Sequence, residues 1–304
     1  MKDALSIVRG VFADLASGAA KNQARRRLSL PSGAVLHSLA GATGNYFGTK
    51  IYSTHPKFGA HFLMMLYDGA TGKPLSILEA NHLGQIRTGA ATGVATDLLA
   101  APGADKVGVI GSGFQARTQL EAILGMRVVQ RVRVWSRDPG KRDRFARQCS
   151  QDFGINVEAA ASAQQAVEDA SIVVTATFAK DPVIEAGWIS EGTHINAIGS
   201  NNAQRREIPA ELLERASVVA VDSIEQASLE SGDLLLAWPA ETWASKNVVE
   251  LQQVVARKAG RTSRGQITIF KSNGLGLQDV AVAAHVYEKA ISAGVGQSIA
   301  LMGV

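Results

Sequence analysis

A short apolar run that ends in two glycines constrains the fold most. Residues 106–116 read KVGVIGSGFQA, in which a strand buried on both faces breaks at Gly111 and Gly113. Residues 116–124 then carry apolar side chains at helical spacing. Gly111 permits a tight turn, Gly113 lets the backbone approach a pyrophosphate, and Ala116 allows close helix packing. This G-x-G-x-x-A pattern is typical of dinucleotide sites, although glycines also mark ordinary turns.

Strand and helix patterns alternate along the residues that follow this turn. The segments 131–135 (RVRVW), 171–177 (SIVVTAT) and 217–223 (SVVAVDS) predict parallel strands, and the stretches between them are typical of helices. Such alternation predicts an α/β fold with a doubly wound parallel sheet of the Rossmann type. The whole pattern, rather than the glycines alone, therefore predicts a dinucleotide-binding domain.

The end of the second strand indicates which dinucleotide binds. An acidic residue roughly 20 positions after the glycines normally holds the ribose of NAD, whereas this chain has Ser136 and Arg137 there. A guanidinium can pair a 2′-phosphate through two hydrogen bonds, and Lys141 and Arg142 add positive charge nearby. NADP(H) is therefore the preferred prediction. NAD(H) remains open, because Asp138 could turn back towards the ribose.

The composition argues against several classes of protein. The 304 residues carry a net charge of +4, but the basic residues are scattered and aromatic residues make up 6%. Without aromatic side chains among the charges, we expect no nucleic-acid binding. No run reaches the roughly 18 apolar residues of a membrane-spanning helix. The single cysteine, Cys149, excludes an internal disulfide and is expected to pack in the core. We expect a cytoplasmic protein without membrane contact. The six histidines lack zinc-ligand spacing, so no metal is expected.

The first hundred residues do not continue this alternation. An amphipathic helix opens the chain, Pro102 and Gly103 mark a boundary, and the apolar helix after residue 277 needs a partner to cover it. Strands are predicted at 28–39, 47–52 and 61–67. We predict a smaller, discontinuous α+β domain for substrate binding and dimerisation (1–101 and 277–304) and a NAD(P)-binding Rossmann domain (102–276). The Ala- and Val-rich helices suit a subunit interface, so a homodimer is expected.

Four segments together carry a family resemblance: GTKIYSTHP (48–56), GQIRTGAATGVAT (84–96), NAIGSN (196–201) and FKSNGLGLQD (270–279). In this order, around a G-x-G-x-x-A domain, they resemble the ornithine cyclodeaminase and mu-crystallin family. That family includes alanine dehydrogenases and reductases of ketimines or cyclic imino acids. The resemblance covers nearly the whole chain. We expect one departure from the family's pattern: the short leading strand that family members usually have is missing, and the chain begins at the first helix.

The resemblance implies a substrate site built from basic residues. Lys50 matches the family's substrate lysine, and burial would bring its pKa towards a range useful for acid-base chemistry. The alternative is a surface lysine at a strand end. Arg87 matches an arginine that contacts the cofactor and the substrate carboxylate. A further carboxylate-binding residue falls within the three arginines at 25–27, and strand alternation favours Arg25 or Arg27.

Asn201 distinguishes branches of the family. The cyclodeaminases have an aspartate at this position, which handles protons, whereas an amide cannot act as a base at neutral pH. The asparagine therefore counts against ornithine cyclodeamination and favours the alanine dehydrogenase and imine reductase branches. The alternative is a hydrogen-bonding turn residue at a strand end.

The remaining predicted contacts surround the cofactor. They lie in the glycine turn and at four strand ends: Gly111, Ser112, Gly113, Phe114, Gln115, Ser136, Arg137, Thr175, Ala176, Thr177, Ile198, Gly199, Ser200 and Ser272, together with Arg87. Ser272 and Asn273 match a loop of the family that closes over the nicotinamide and the substrate, so the resemblance implies that Asn273 contacts the substrate. The alternative is turn chemistry before Gly274.

The predicted function is reduction of the C=N bond of an α-imino acid by NAD(P)H. The imine is either cyclic, such as Δ1-pyrroline-2-carboxylate, or forms from a 2-oxo acid and an amine, as in an alanine dehydrogenase. Lys50 would transfer the proton, and Arg87 with Arg25 or Arg27 would bind the carboxylate. Two alternatives remain open. One is a cyclodeaminase that uses NAD+ and releases ammonia, and the other is a mu-crystallin-like protein that binds NADPH without catalysis.

Overall fold

The computed structural model describes residues 1–299 and contains two separate β-sheets. The first sheet is antiparallel, and its neighbouring strands follow chain order. Its five strands are β1 (Lys21–Ser29), β2 (Val35–Thr43), β3 (Tyr46–His55), β4 (Gly59–Asp68) and β5 (Pro74–Glu79).

The second sheet is parallel and has eight strands. They are β6 (Lys106–Ile110), β7 (Arg131–Trp135), β8 (Val157–Ala159), β9 (Ile172–Thr175), β10 (His194–Ala197), β11 (Ala216–Val221), β12 (Val248–Glu250) and β13 (Ile267–Lys271). Their order across the sheet is β12-β11-β13-β10-β9-β6-β7-β8. The chain order reverses between β6 and β9, and ligands of open α/β sheets bind at the carboxyl ends of such strands. The predicted doubly wound α/β class is confirmed.

Ten α-helices connect and cover these sheets within residues 1–299. They are α1 (Lys2–Ser17), α2 (Asn81–Leu99), α3 (Phe114–Met126), α4 (Pro139–Phe153), α5 (Ala163–Val167), α6 (Ala210–Arg215), α7 (Ile224–Glu230), α8 (Gly232–Leu235), α9 (Leu251–Val255) and α10 (Gly276–Ser292). Short 3-10 helices occupy Ala186–Trp188 and Ala240–Lys246. In the described part of the chain, no helix combines the length and apolarity needed to cross a membrane.

Helix α10 returns from the second sheet to pack on the first. It lies against β1 to β4 and α1, and Val280 shares one buried cluster with Phe12 of α1. At its first residue, a Cβ on Gly276 would stand 2.9 Å from the backbone nitrogen and oxygen of Ala40. A glycine is therefore needed for this close approach. The domain limits stay a prediction, and residues 300–304 of the predicted first domain lie outside the described residues.

The first strand begins earlier than the sequence pattern indicated. We expected strand structure from residue 28, whereas β1 starts at Lys21 and a turn separates it from β2. The inward side of β1 lacks the run of apolar residues that reveals a strand. Arg25 occupies an inward position and is only 5% exposed. A bulge between Gln23 and Arg26 further disturbs the alternation.

The face of the first sheet turned away from α10 is apolar and exposed. We call it the outer sheet face, and it comprises Leu28, Leu36, Ile51, Leu63 and Ile77. Cross-strand pairing sets Leu28 opposite Leu36 and Ile51 opposite Leu63. Four of these side chains are between 45% and 62% exposed. The outer sheet face therefore presents several large apolar side chains to solvent.

Candidate active site

The glycine turn after β6 has the geometry of an anion-binding helix start. Gly111 has a φ of 112°, a conformation that favours glycine. Gly113 precedes the first residue of α3, where no side chain caps the helix. A Cβ on Gly113 would meet no atom of residues 1–299 within 4 Å, so the backbone there is open to an approaching ligand. Ala116 is fully buried, which suits its predicted role in helix packing.

The end of β7 contains the residues expected to choose between the two cofactors. The Ser112 and Ser136 hydroxyl oxygens are 2.8 Å apart, which ties the glycine turn to this strand end. Asp138 caps α4 by accepting a hydrogen bond from the Lys141 backbone at 3.0 Å, and this bond lowers the pKa of its carboxyl. Arg137 is exposed, and its side chain makes no ion pair with the described residues.

A buried glutamate organises two further loops at the same edge of the sheet. Glu207 Oε1 accepts hydrogen bonds from the backbone and the hydroxyl of Thr177 at 2.6 and 2.7 Å. Its Oε2 accepts from the Thr175 hydroxyl at 2.9 Å and from the Gly199 backbone at 2.7 Å. Burial raises the pKa of Glu207. One carboxylate thus fixes the loops after β9 and β10, while the Thr175 hydroxyl faces this carboxylate instead of the cleft.

The loop after β13 is fixed by a second buried carboxylate. Asp222 Oδ2 accepts from the Ser272 hydroxyl at 3.0 Å and from the backbones of Asn273 and Gly274 at 2.6 and 2.8 Å. Lys271, which is fully buried, donates to the backbone oxygen of Ser200 at 2.5 Å. The Ser272 hydroxyl is therefore held inside the protein, and the loops after β10 and β13 are bonded to each other.

Two of the predicted basic residues meet around an aspartate at the start of α10. Asp279 Oδ1 accepts hydrogen bonds from Lys50 Nζ at 2.9 Å and from Arg87 Nε at 3.1 Å. All three side chains are buried, with exposures of 4% for Lys50, 7% for Arg87 and 0% for Asp279. Arg87 Nη1 also donates to Gln278 at 3.0 Å. The structure therefore places Lys50 inside a charged cluster, not at the surface.

The cluster shifts the pKa values of its members in ways that matter for proton transfer. Burial lowers the pKa of the Lys50 ammonium, and the nearby Arg87 lowers it further, while Asp279 partly offsets both effects. Burial opposes ionisation of Asp279, but Arg87 and Lys50 outweigh it and hold the pKa of this carboxyl below its usual range. The pKa of the Lys50 ammonium is thus reduced, and Asp279 favours its protonated form.

Both candidate arginines of β1 contact a glutamate that the sequence did not reveal. Glu230, the last residue of α7, pairs with Arg25 through Oε1 and with Arg27 through Oε2. Arg25 also donates from Nη2 to the backbone oxygens of Asn273 and Gly274, at 2.9 and 3.3 Å. Alternation predicted that both arginines lie on the face opposite Leu28 and Leu30, and in the structure their side chains meet at Glu230. Their guanidinium groups therefore already have protein partners.

Several buried polar atoms around this cluster have no hydrogen-bond partner among residues 1–299. They are Arg25 Nε, Asn273 Oδ1, Asn273 Nδ2 and Asp279 Oδ2. Buried polar groups normally find partners, so unsatisfied donors and acceptors in one place favour a ligand site. Gly84 keeps space beside the lysine, because a Cβ there would stand 2.6 Å from Lys50 Nζ.

Asn201 lies at the margin of the cluster. Its backbone oxygen accepts a hydrogen bond from Arg27 Nη2 at 2.9 Å, and the residue is exposed. No hydrogen bond from the Asn201 side chain to the described residues is present. Its catalytic role stays a prediction.

The carboxylates that organise the site were missed at the level of sequence. Asp279 ends the segment FKSNGLGLQD, so its position in a family motif was a usable signal. No local pattern identifies Glu207, Asp222 or Glu230, because each of them has a partner between 30 and 205 residues away along the chain.

These features define the class of protein. A parallel sheet with a dinucleotide-type turn borders a second, antiparallel sheet, and buried basic residues paired with carboxylates lie between them. The sequence model of the ornithine cyclodeaminase/mu-crystallin family matches residues 1–294. The chain belongs to this family, as the sequence segments indicated.

Individual relatives agree with this assignment. A Delta(1)-pyrroline-2-carboxylate reductase of Bacillus cereus is 39% identical over 239 residues, covering 78% of this chain and 73% of the relative. The Thermococcus litoralis Delta(1)-pyrroline-2-carboxylate reductase, in complex with NADH and L-proline, has a TM-score of 0.92 at 32% identity and covers 98% of this chain and 96% of its own. An archaeal alanine dehydrogenase dimer with bound NAD also has a TM-score of 0.92, at 33% identity, with coverage of 99% and 95%.

Proposed function

We propose that this protein is an NADPH-dependent reductase of the C=N bond of α-imino acids. The observation that carries the proposal is the buried Lys50 ammonium, which Asp279 holds beside Arg87 next to the dinucleotide-type edge of the parallel sheet. Relatives that reduce Δ1-pyrroline-2-carboxylate, and an alanine dehydrogenase, support it. Both chemistries involve a C=N bond beside a carboxylate.

The residues at the strand ends fit a nicotinamide dinucleotide. The uncapped start of α3 offers backbone N–H groups to a pyrophosphate, and Gly113 leaves room for its approach. Glu207 and Asp222 hold the loops that would border the nucleoside parts of the ligand. When bound in its reduced form, this cofactor supplies the hydride.

The substrate would be held by Arg87 together with nearby polar atoms that have no partner among residues 1–299. Arg87 offers a guanidinium, and Arg25 Nε and the Asn273 amide are the unsatisfied groups beside it. A carboxylate bound by these donors would be fixed in position and orientation, which removes much of the entropic cost of the reaction. The imine carbon next to that carboxylate would then lie within the cleft.

Lys50 would supply the proton. Hydride addition to the imine carbon leaves the nitrogen to accept a proton, and the Lys50 ammonium is a general acid whose pKa burial has lowered. Asp279 keeps the ammonium charged until the proton is transferred. In the direction of oxidation, neutral Lys50 would take the proton from the amine.

The preference for NADPH over NADH rests on Arg137. This residue is exposed at the end of β7, and Asp138 is committed to capping α4 instead of holding a ribose. A guanidinium without an ion-pair partner among the described residues suits a 2′-phosphate. The two solved structures described above contain NADH or NAD, and Arg137 is the residue that would distinguish this chain's cofactor from theirs.

We also propose a homodimer formed through the outer sheet face. The side chains of Leu28, Leu36, Leu63 and Ile77 are exposed on this face, and the archaeal alanine dehydrogenase is a dimer. Pairing two copies would bury the patch symmetrically. We keep the division into domains 1–101 with 277–304, and 102–276.

An assay of NADPH consumption tests the proposed reaction. We expect the protein to oxidise NADPH with Δ1-pyrroline-2-carboxylate, Δ1-piperideine-2-carboxylate, or pyruvate with ammonia. Lys50→Met should lower the rate roughly 10²- to 10⁴-fold, because it removes the acid. Ammonia release from L-ornithine with NAD+ would instead indicate a cyclodeaminase, and tight NADPH binding without turnover would indicate a binding protein.

The pH profile tests the partnership of Lys50 with Asp279. The rate of reduction should fall as the pH rises through the pKa of Lys50, because the acid loses its proton. Asp279→Asn removes the charge that favours the ammonium, so this basic limb should move to lower pH by about one unit. Asp97→Asn, which alters an aspartate that pairs with Arg9, should leave the limb in place. An unmoved limb in Asp279→Asn would refute the coupling.

Charge reversal at Arg137 tests cofactor choice. Arg137→Glu should lower kcat/KM for NADPH by about 10- to 100-fold, the effect of losing charged hydrogen bonds, and should leave NADH nearly unaffected. Arg147→Glu makes the same change of charge on an exposed residue of α4 and serves as the control. Equal losses with both cofactors, or no loss with NADPH, would contradict the assignment.

Sedimentation velocity tests the dimer. The wild-type protein should sediment with twice the mass of one chain, and Leu63→Asp should shift it to the monomer because the substitution would bury an unpaired charge. Val128→Asp places the same change at a side chain that is 87% exposed outside this face, and it should stay dimeric. A Leu63→Asp variant that remains dimeric would exclude the outer sheet face as the interface.

A further inference from the structure

Two arginine side chains of the cleft share one carboxylate. Arg25 and Arg27 both pair with Glu230, one through each carboxylate oxygen. The Arg25 and Glu230 side chains are almost fully buried, at 3% and 1% exposure, and that of Arg27 is 30% exposed. The pair of Arg25 and Glu230 therefore lies in the interior and is little screened by solvent, whereas Arg27 reaches the surface.

Glu230 is fixed in this position by its own helix. Gln226 Nε2, one turn earlier in α7, donates to Glu230 Oε1 at 2.8 Å and to the backbone oxygen of Gly274 at 2.6 Å. The carboxylate is consequently part of the same bonded unit as the loop that bears Asn273. It cannot be displaced from the arginines without breaking these bonds.

The shared carboxylate limits what the arginines can bind. A carboxylate is held most strongly by two parallel N–H bonds from one guanidinium. Arg25 Nη1 is used by Glu230, and its Nη2 is used by the backbone oxygens of Asn273 and Gly274. Arg27 Nη2 serves both Glu230 and Asn201. A single substrate carboxylate can use Arg87 and Arg25 Nε, which has no partner among residues 1–299. A second carboxylate would have to approach Glu230, whose negative charge already serves both β1 arginines and would repel it.

We propose that Glu230 is a specificity-determining residue that restricts the site to imino acids with one carboxylate. This inference rests on the proposed function and adds the charge of the substrate to it. Glu230 acts through the arginines as a positioning residue, so its removal should change the choice of substrate more than the chemical step. Like charges placed together in an interface disfavour the wrong partner in the same way.

A comparison of two imines tests the inference. The probes are Δ1-pyrroline-2-carboxylate, with one carboxylate, and the imine that forms from oxaloacetate and ammonia, with two. We expect the wild type to favour the first, and Glu230→Gln to raise the relative kcat/KM for the second by about tenfold, mainly through KM. Glu225→Gln, at an exposed position of the same helix, should leave the ratio unchanged.

A second variant covers the case in which Glu230→Gln does not fold. Arg27→Met keeps Glu230 and removes the partly exposed cation, so it should shift the ratio further towards the monocarboxylate. Normal reduction of the monocarboxylate with an unchanged ratio in each variant that folds would overturn the role of Glu230 alone. A wild type that reduces neither imine, nor pyruvate with ammonia, would overturn the proposed function and this inference with it.

Discussion

The space between the two sheets depends on carboxylates that neutralise buried cations. A charged side chain removed from water costs several kcal/mol unless a partner of opposite charge compensates it. Asp279 serves Lys50 and Arg87, and Glu230 serves Arg25 and Arg27. Each carboxylate therefore serves two cations, and loss of either would leave unpaired charges in the cleft. The basic residues can lie close together only because these acids lie between them.

The same pairings join parts of the chain that are far apart in sequence. Lys50 belongs to the antiparallel sheet, Arg87 to the helix that follows it, and Asp279 to the helix that returns after the parallel sheet. Glu230 links β1 to α7 in the same manner. The charged cluster is thus a structural joint between the two sheets as well as the candidate site, and its geometry depends on the packing of both.

Much of the fold could be predicted from local pattern. The strand at 131–135 and the helix predicted over residues 116–124 were placed closely, because apolar periodicity and turn residues act over a few positions. The first strand was placed too late, since Arg25 replaces an apolar residue on its buried side. The exception has a physical cause: a strand that lines a charged cleft does not carry the pattern of a strand that lines a core.

The sequence by itself determined the doubly wound sheet, the glycine turn and the family, because these depend on short-range periodicity and on motifs of fixed spacing. It also named Lys50, Arg87 and Arg25 as candidates. Only the tertiary structure decided which charges meet. Contacts between distant segments bring Asp279 and Glu230 to the basic residues, and they bring Glu207 and Asp222 to the hydroxyl and backbone groups of the loops that these two carboxylates hold. The energy of a buried ion pair depends on distance and burial, and neither quantity is encoded in the local order of residues.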